Sequence, residues 1–434
     1  MVQTARLVLS PHEFLDDCAH RYGKAFTLRL AVGGVPSVLF WDPLVIRDIY
    51  TSDPEELPAG EAIFEVMAPL VGAESVMVLD GPAHLRERRM MLPPLHGERM
   101  HHYARIIRDV TTENLAGWQR GSQFSLQDEM QAITLEVILR TVFGFTEGHG
   151  LPRLRACLLQ TVEILSGPWA PLLAIPSLRL GLGGHSPWGR FLANKQALRT
   201  ILLEEVARRR AEGTAGRKDI LSLLLEARDE DGEPMTDAEL YDEMFTLLMA
   251  GHETTATALA WVFYRLLSRP DVLARARDEL AGVTGGEPVE PGHLSKLVYL
   301  DAVINETARL NPVSPFGTRR LKKARSIGGF ELPAGINVSP CIYLGHRNPE
   351  VWPDPLKFDP ERFIGKRPSP YEFFPFGGGT RRCVGAAFAM YEMKIVLSHL
   401  LPRVNLELAQ GYRMRPLVRT VTVVPSRGMP VLMR

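Results

Sequence analysis

The sequence carries no formal net charge: Lys and Arg number 50, Asp and Glu also 50, across 434 residues. No global field draws such a chain toward nucleic acid or an anionic membrane, so neither is an expected partner. Cysteine is scarce as well. The four, Cys18, Cys157, Cys341 and Cys383, are too few and too scattered to staple a chain of this length, which favours a reducing, cytoplasmic setting over a disulfide framework. There is also no apolar run of roughly 20 residues in the opening stretch. Met1 to His20 has polar and charged side chains throughout, so no signal peptide or membrane anchor is expected. What the chain does have is bulk. With 45% hydrophobic residues it can bury a large core, and a single soluble, monomeric domain over 1–434 is expected.

Chemistry concentrates in Phe374-Pro375-Phe376-Gly377-Gly378-Gly379-Thr380-Arg381-Arg382-Cys383-Val384-Gly385, followed by an Ala-rich amphipathic run that reads as a helix. Three glycines let the backbone turn sharply, and two arginines supply positive charge. Cys383 stands at the helix entrance, where unpaired amides and the positive dipole end favour a thiolate. Such a sulfur has several uses. A nucleophile needs a histidine base, which 12 histidines leave open. Zinc needs further Cys or His ligands nearby, and none flank Cys383. Haem ligation needs one thiolate, glycines so that loop amides reach the sulfur, an aromatic shield and cations for the propionates. Phe376, Gly377, Gly379, Arg381 and Gly385 offer that set.

Taken in order, residues 11–23 read as a helix ended by Gly23. Residues 25–30 and 37–40 read as hairpin strands around Gly33-Gly34, with Pro36 marking an edge position, and Trp41-Asp42-Pro43 opens a helix to about Tyr50. Residues 57–78 are irregular, mixing Pro58, Gly60, Pro69 and Gly72 with Ile63, Phe64, Val66 and Met67. They read as a mobile surface loop or, better suited to the apolar content, a pocket lining. Asp80-Gly81-Pro82 leads into a basic helix with His84 and Arg88 one turn apart, and His84 alone is an ordinary partly exposed histidine. Residues 103–144 are mainly helical, and 126–143 are apolar enough for burial. Residues 151–189 contain Pro168, Pro171, Pro176, Gly181, Gly183 and Gly184, a composition compatible with a lid. Helices follow over 190–210 and 219–228. Thr236 and Glu239 form a capping box that starts a long apolar helix over 237–268.

Inside that helix lies Ala250-Gly251-His252-Glu253-Thr254-Thr255. Buried acid and hydroxyl groups are costly without partners, and Thr254 can turn its hydroxyl to a carbonyl one turn back, so a polar kink is the plain reading. Residues 294–310 form a helix with Glu306 and Arg309 at i,i+3, a pair that contributes little if exposed. Strands are expected at 327–331, 335–340, 404–408 and 420–424.

Together these stretches resemble the cytochrome P450 superfamily. Phe376, Gly379, Arg381, Cys383 and Gly385 fill F-x-x-G-x-R-x-C-x-G, and residues 250–255 fill A/G-G-x-D/E-T-T/S. Glu306 and Arg309 fill E-x-x-R, and His84 with Arg88 matches H-x-x-x-R. The resemblance implies a mainly α (α+β) fold, a triangular helical domain with small β-sheets. Its parts are an N-terminal helix and sheet region (1–56), the oxygen-site helix (237–268), and the cysteine loop with its proximal helix (374–400). It implies haem b (iron protoporphyrin IX) between that long helix and Cys383, the metal ligand. His84, Arg88, Ala250, Gly251, Arg319, Phe376, Gly377, Arg381 and Gly385 would surround the cofactor, with Arg320 the register alternative to Arg319. Glu253 and Thr254 become the acid and alcohol that manage protons. His252 falls at the variable position, and as an iron ligand it would block the oxygen site. Glu306, Arg309 and Arg362 become a buried structural ion network. Val66, Met67, Leu247, Ala250, Pro315, Phe316, Val418 and Val421 become pocket residues.

The implied reaction inserts one atom of O2 into a small apolar organic substrate by hydroxylation or epoxidation. Fatty acid, terpenoid, steroid and macrolide-like compounds all remain open. Electrons would come from a ferredoxin and its NAD(P)H-dependent reductase, since no flavin or iron–sulfur domain is fused to the chain, and Arg381 and Arg382 suit an acidic ferredoxin. A peroxide-driven peroxygenase is the enzymatic alternative, against which the intact acid–alcohol pair speaks. A haem-binding sensor and a Cys hydrolase are the others.

Overall fold

In a computed structural model, which describes residues 2–31, 33–144, 151–166, 179, 183–419 and 421–434, the capping box is closed in both directions. Thr236 Oγ1 accepts from Glu239 N at 3.2 Å, and Glu239 Oε2 accepts from Thr236 N at 2.7 Å. Two amides that a helix start leaves without partners are thereby satisfied, and the helix Asp237–Leu267 runs on for 31 residues. At about 1.5 Å per residue it is long enough to cross a domain. Buried residues lie along nearly its whole length, so it forms the centre around which other helices pack. Leu126–Phe143 packs against it most extensively. At Gly251 the two helices come so close that a Cβ would lie 2.7 Å from Ile138 Cδ1. The flanking helices start by the same chemistry: Asp42, Ser125, Ser186 and Asp219 each accept first-turn amides, for Pro43–Thr51, Leu126–Phe143, Pro187–Glu212 and Ile220–Glu226.

The expected edge position at Pro36 is corrected. Ser37–Phe40 lies inside a four-stranded sheet, between Ala25–Leu28 and Asn337–Pro340, with Arg319–Arg320 beyond. Pro36 sits before the first paired residue, so its missing N–H is never called upon, while its carbonyl accepts from Asn337 N at 2.8 Å. The segment 57–78 is also corrected, since most of it is the helix Gly60–Val71. Its start is capped from a distance: the Asp80 carboxylate accepts from the amides of Ala59, Gly60 and Glu61 at 3.0, 2.9 and 2.7 Å. Pro69, inside the helix, cannot donate to the Glu65 carbonyl. Arg179 supplies that donor from elsewhere, reaching Glu65 O and Val66 O at 3.0 Å each, and Lys195 Nζ reaches Pro69 O at 3.2 Å.

Further corrections are local. Residues 327–331 are two strands, Arg325–Ile327 and Phe330–Leu332, turning at Gly328-Gly329 where both φ are positive. The C-terminal strands are Leu406–Leu408, Pro416–Arg419, Thr422–Pro425 and Pro430–Met433, the last joining Gln123–Ser125 in a sheet. Residues 151–166 are helical, and Gly183 and Gly184 lie in a short 3-10 turn. Pro168, Pro171, Pro176 and Gly181 lie outside the described residues. Among the described residues, no helix is long and apolar enough to cross a membrane.

Candidate functional site

The cysteine loop is shaped by its glycines. Gly377 and Gly379 have φ of +69° and +64°, and a Cβ on Gly379 would lie 2.3 Å from the Tyr50 carbonyl oxygen. Gly378 presses on the Tyr50 ring, where a Cβ would stand 2.4 Å away. The loop therefore lies flat against the end of Pro43–Thr51. Cys383 N donates to Phe376 O at 2.9 Å, closing the turn just before the helix Ala386–Leu400. The Cys383 side is accessible, yet burial is the main influence on its thiol and pushes its pKa up, against the Gly385 amide, Arg88 and Arg382. A residue that is accessible and yet enclosed by its neighbours borders an internal opening. Removal from bulk water thus opposes the Gly385 amide and the two cations at this thiol.

Ala250 gives the same signal from the long helix. It is exposed, and Gly251 and Thr254 are partly so, although Leu248, His252 and Glu253 beside them are buried. An exposed alanine in the middle of a core helix looks into an interior space. Thr254 Oγ1 donates to Ala250 O at 2.6 Å. His252 turns the other way, with Nδ1 3.3 Å from Leu248 O, and burial lowers its pKa to about 4, so it is neutral. Glu253 is 8% exposed. Burial raises its pKa despite the Arg419 charge, and its Oε1 lies 3.3 Å from Thr422 Oγ1.

A cluster of cations forms a third feature. His84 is buried, and its pKa is lowered to about 3 by burial and by Arg381, Arg88 and Arg319, with Asp80 opposing. Burial also lowers Arg319, and it lowers Arg381 to about 10. Arg381 reaches the Val76 carbonyl at 2.9 Å, together with the Leu79 carbonyl and Asp80. Arg319 donates to its neighbour Thr318 O at 2.9 Å. Asp80 is the only carboxylate among the influences on His84, set against three guanidinium groups. Such a cluster is short of negative charge. A group with two carboxylates and a flat apolar body, as in haem, fits such a set of cations. Arg320 instead donates to Gly335 O at 2.8 Å. Tyr50 adds a buried hydroxyl without a hydrogen bond, with the Arg319 guanidinium 5.7 Å from its ring centre.

Glu306 and Arg309 are both fully buried, so the exposed-pair reading is excluded. Arg309 Nε and Nη2 donate to the two Glu306 oxygens at 2.7 and 2.8 Å, and Nη1 donates to His346 O at 2.7 Å and Pro355 O at 2.8 Å. Arg362 Nε lies 3.6 Å from Glu306 Oε1, and Asp359 N donates to that same oxygen at 2.9 Å. The His346 ring nitrogen Nε2 accepts from Phe374 N at 2.9 Å. The ion network thus reaches the first residue of the cysteine loop.

Of the expected pocket residues, Val66, Met67, Leu247 and Val418 are partly buried, Pro315 is buried, and Val421 is 53% exposed. Phe316 packs against the N-terminal cluster that includes Leu7 and Phe14. Sequence reading missed Tyr50, His346, Arg419 and Thr422. Each acts on a residue far away in the chain, and none stands in a local pattern that marks it. On the cysteine-loop side, a groove of about 1110 Å³ is bordered by Phe363, Lys366, Arg367, Tyr371 and Arg382.

Against known proteins, the family model described as cytochrome P450 matches residues 1–432. A Mycobacterium tuberculosis relative named cytochrome P450 135B1 is 39% identical over 435 residues, covering 100% of this chain and 89% of its own. Another from the same organism, cytochrome P450 138, is 37% identical over 440 residues, covering 100% and 94%. Among solved structures, a retinoic acid-bound cyanobacterial CYP120A1 superposes with a TM-score of 0.86 at 25% identity, covering 100% of this chain and 96% of that one. The cytochrome P450DA heme domain superposes with a TM-score of 0.83 at 24% identity, covering 97% and 92%, which supports the fold alone.

Proposed function

The chain belongs to the cytochrome P450 family, with a mainly helical fold, small β-sheets and haem-dependent oxidoreductase chemistry, and from that premise we propose a monooxygenase acting on a small apolar organic substrate. The observation that carries the reading is the exposed Ala250, beside Thr254 and Glu253, within a core helix, together with an accessible yet enclosed Cys383. Haem b, when bound, supplies the one-electron and O2 chemistry.

The chain's own residues hold, orient and deliver protons. Cys383 would hold the iron, with Phe376 beside it and Gly377 and Gly385 giving the loop its turn. His84, Arg88, Arg319 and Arg381 receive the two carboxylates, charge the cluster otherwise lacks. Thr254 has one hydroxyl proton and gives it to Ala250 O, so toward the site it offers lone pairs that accept from a water or a protonated oxygen. Glu253, buried and raised in pKa, serves as the proton source. Ala250, Leu247, Val66, Met67, Pro315, Phe316, Val418 and Val421 give the substrate an apolar surround with few hydrogen-bonding demands. A fatty acid, terpenoid, steroid or macrolide-like compound meets that description, and the retinoic acid held by CYP120A1 has a long apolar body ending in one carboxylate. The electron source is a ferredoxin with its NAD(P)H-dependent reductase. Lys366, Arg367 and Arg382 around the cysteine-side groove suit an acidic partner.

The test is the carbon monoxide difference spectrum of the reduced protein with Cys383→Ser as control. A red-shifted Soret band of the haem-thiolate type, lost in the variant, supports the reading. Haem-loaded protein without that band removes it. The peroxygenase alternative is decided by comparing turnover on peroxide with turnover on ferredoxin, reductase and NAD(P)H.

A further inference from the structure

Thr422, only 2% exposed, stands where the hairpin Pro416–Arg419 and Thr422–Pro425 meets the long helix. Its hydroxyl oxygen lies 3.0 Å from the Arg419 carbonyl and 3.3 Å from Glu253 Oε1. A threonine hydroxyl has one proton to give and two lone pairs with which to receive. The Arg419 carbonyl can only accept, and it is the nearer oxygen, so the proton is directed there. Toward Glu253 the hydroxyl then presents a lone pair. That contact is a hydrogen bond only when Glu253 Oε1 itself carries a proton. With Glu253 ionised, Thr422 must turn its proton to the carboxylate and abandon the carbonyl.

The surroundings fix this geometry. Trp261, two turns further along the helix, donates Nε1 to Val423 O at 2.8 Å, and Val423 N donates to Val313 O at 2.8 Å. The hairpin is therefore held immediately beside Thr422. Among the described residues, Arg419 is the charged group facing Glu253 from the packed hairpin, and its Nε is buried without a hydrogen bond. His252, adjacent on the same helix, is neutral and turned to Leu248.

We propose that Thr422 is a positioning residue of the proton-delivery site. By giving its proton to the Arg419 carbonyl and accepting one from Glu253, it holds that side chain as a neutral acid at the hairpin. It becomes a donor to the carboxylate once the proton has left. This rests on Glu253 being the proton source proposed above.

The test follows the carboxylic C=O stretch of Glu253 by infrared difference spectroscopy in the haem-loaded full-length protein, through a pH titration. The band is assigned by its absence in Glu253→Gln. In Thr422→Val the band of the protonated acid moves in frequency, because its hydroxyl has lost its acceptor. Thr422→Ser keeps the band as in the parent protein, and Thr422→Ala gives the same readout should the valine variant fail to load haem. A band that does not move in Thr422→Val, or a Glu253 ionised at every pH, overturns the proposal. Peroxide released per electron consumed separates this from the wider reading. If Glu253→Gln leaves that ratio unchanged, Glu253 is not the proton source. If the ratio climbs while Thr422→Val is silent in the infrared, only the role of Thr422 is lost.

Discussion

Arg309 meets five oxygens with one guanidinium: both Glu306 oxygens and the carbonyls of His346, Pro355 and Lys357. A planar fork suits this, and a lysine's point charge does not. Removing it leaves a fully buried carboxylate with only Arg362 at 3.6 Å and an amide to face it. Arg309→Ala is therefore expected to lose about 3–5 kcal/mol of stability, since an uncompensated buried charge is the costly outcome. Arg309→Lys is expected to fall between that variant and the parent. Denaturant midpoints read both, and a loss as small as that of an exposed ion pair would refute the network. Haem occupancy is expected to fall with stability, because His346 carries the network to Phe374 in the cysteine loop. At this scale the sequence was legible where a motif sets chemically unusual residues at fixed spacing, as with Glu306 and Arg309. It was silent on His346, whose ring accepts from an amide 28 positions away.

Between residue and molecule stands the stretch that joins the helix Gly60–Val71 to the long helix. Asp242 Oδ2 accepts from Glu74 N at 3.0 Å, Glu243 Oε1 from Val76 N at 2.5 Å, and Thr246 Oγ1 lies 2.7 Å from Ser75 Oγ. One face of the long helix thus grips three consecutive loop residues. Glu87 lies near the same acids. Burial, with Glu239, pushes its pKa up to about 7 against Arg86, and burial also raises Glu243 well above its ordinary value. A carboxyl group with a raised folded-state pKa binds its proton more tightly folded than unfolded. Its stabilising contribution is full below the unfolded value of 4.5 and is lost as pH rises through about 7. Thermal midpoints are expected to decline across that window, and Glu87→Gln to flatten the decline. A variant profile parallel to the parent's rules Glu87 out as its source. The neighbouring helix is where local reading failed most. Its cap comes from Asp80, 20 residues after Gly60, and the carbonyl stranded by Pro69 is served by Arg179. Helices whose caps lie in their own sequence, such as the one beginning at Thr236, were legible to within a residue or two. Arg179→Met is expected to raise amide exchange in residues 60–71 several-fold while leaving 237–267 unchanged, as local opening without global unfolding requires.

Across the whole molecule, distant parts of the chain are joined in ways that sequence periodicity does not encode. Ser37–Phe40 pairs in parallel with Asn337–Pro340, and Gln123–Ser125 pairs with Pro430–Met433. A strand's pattern reports that one face is buried, not which strand it joins, so individual strands were partly legible and their partners were not. The cation cluster is assembled the same way. His84 and Arg88, Arg319, and Arg381 come from three separated segments, and Asp80 is the one carboxylate acting on His84 among them. Without a further anion, like charges in a partly buried space oppose one another, so binding of a dicarboxylate should draw the three segments together. A cofactor that binds the folded chain and not the unfolded one raises its stability by mass action. Haem dimethyl ester has the same flat body and iron but no carboxylates. If the cluster exists to hold the propionates, the ester forfeits several charge-assisted hydrogen bonds, each about 1.5–3 kcal/mol before other losses. It should then dissociate at least about tenfold faster, the consequence of losing even one such bond. Transfer of each haem from the protein to excess apomyoglobin gives the two rates directly. Equal rates would mean that the cluster serves some anion other than the cofactor's carboxylates. A faster loss of the ester, narrowed in Arg88→Met or Arg319→Met, would assign the cluster to the carboxylates residue by residue.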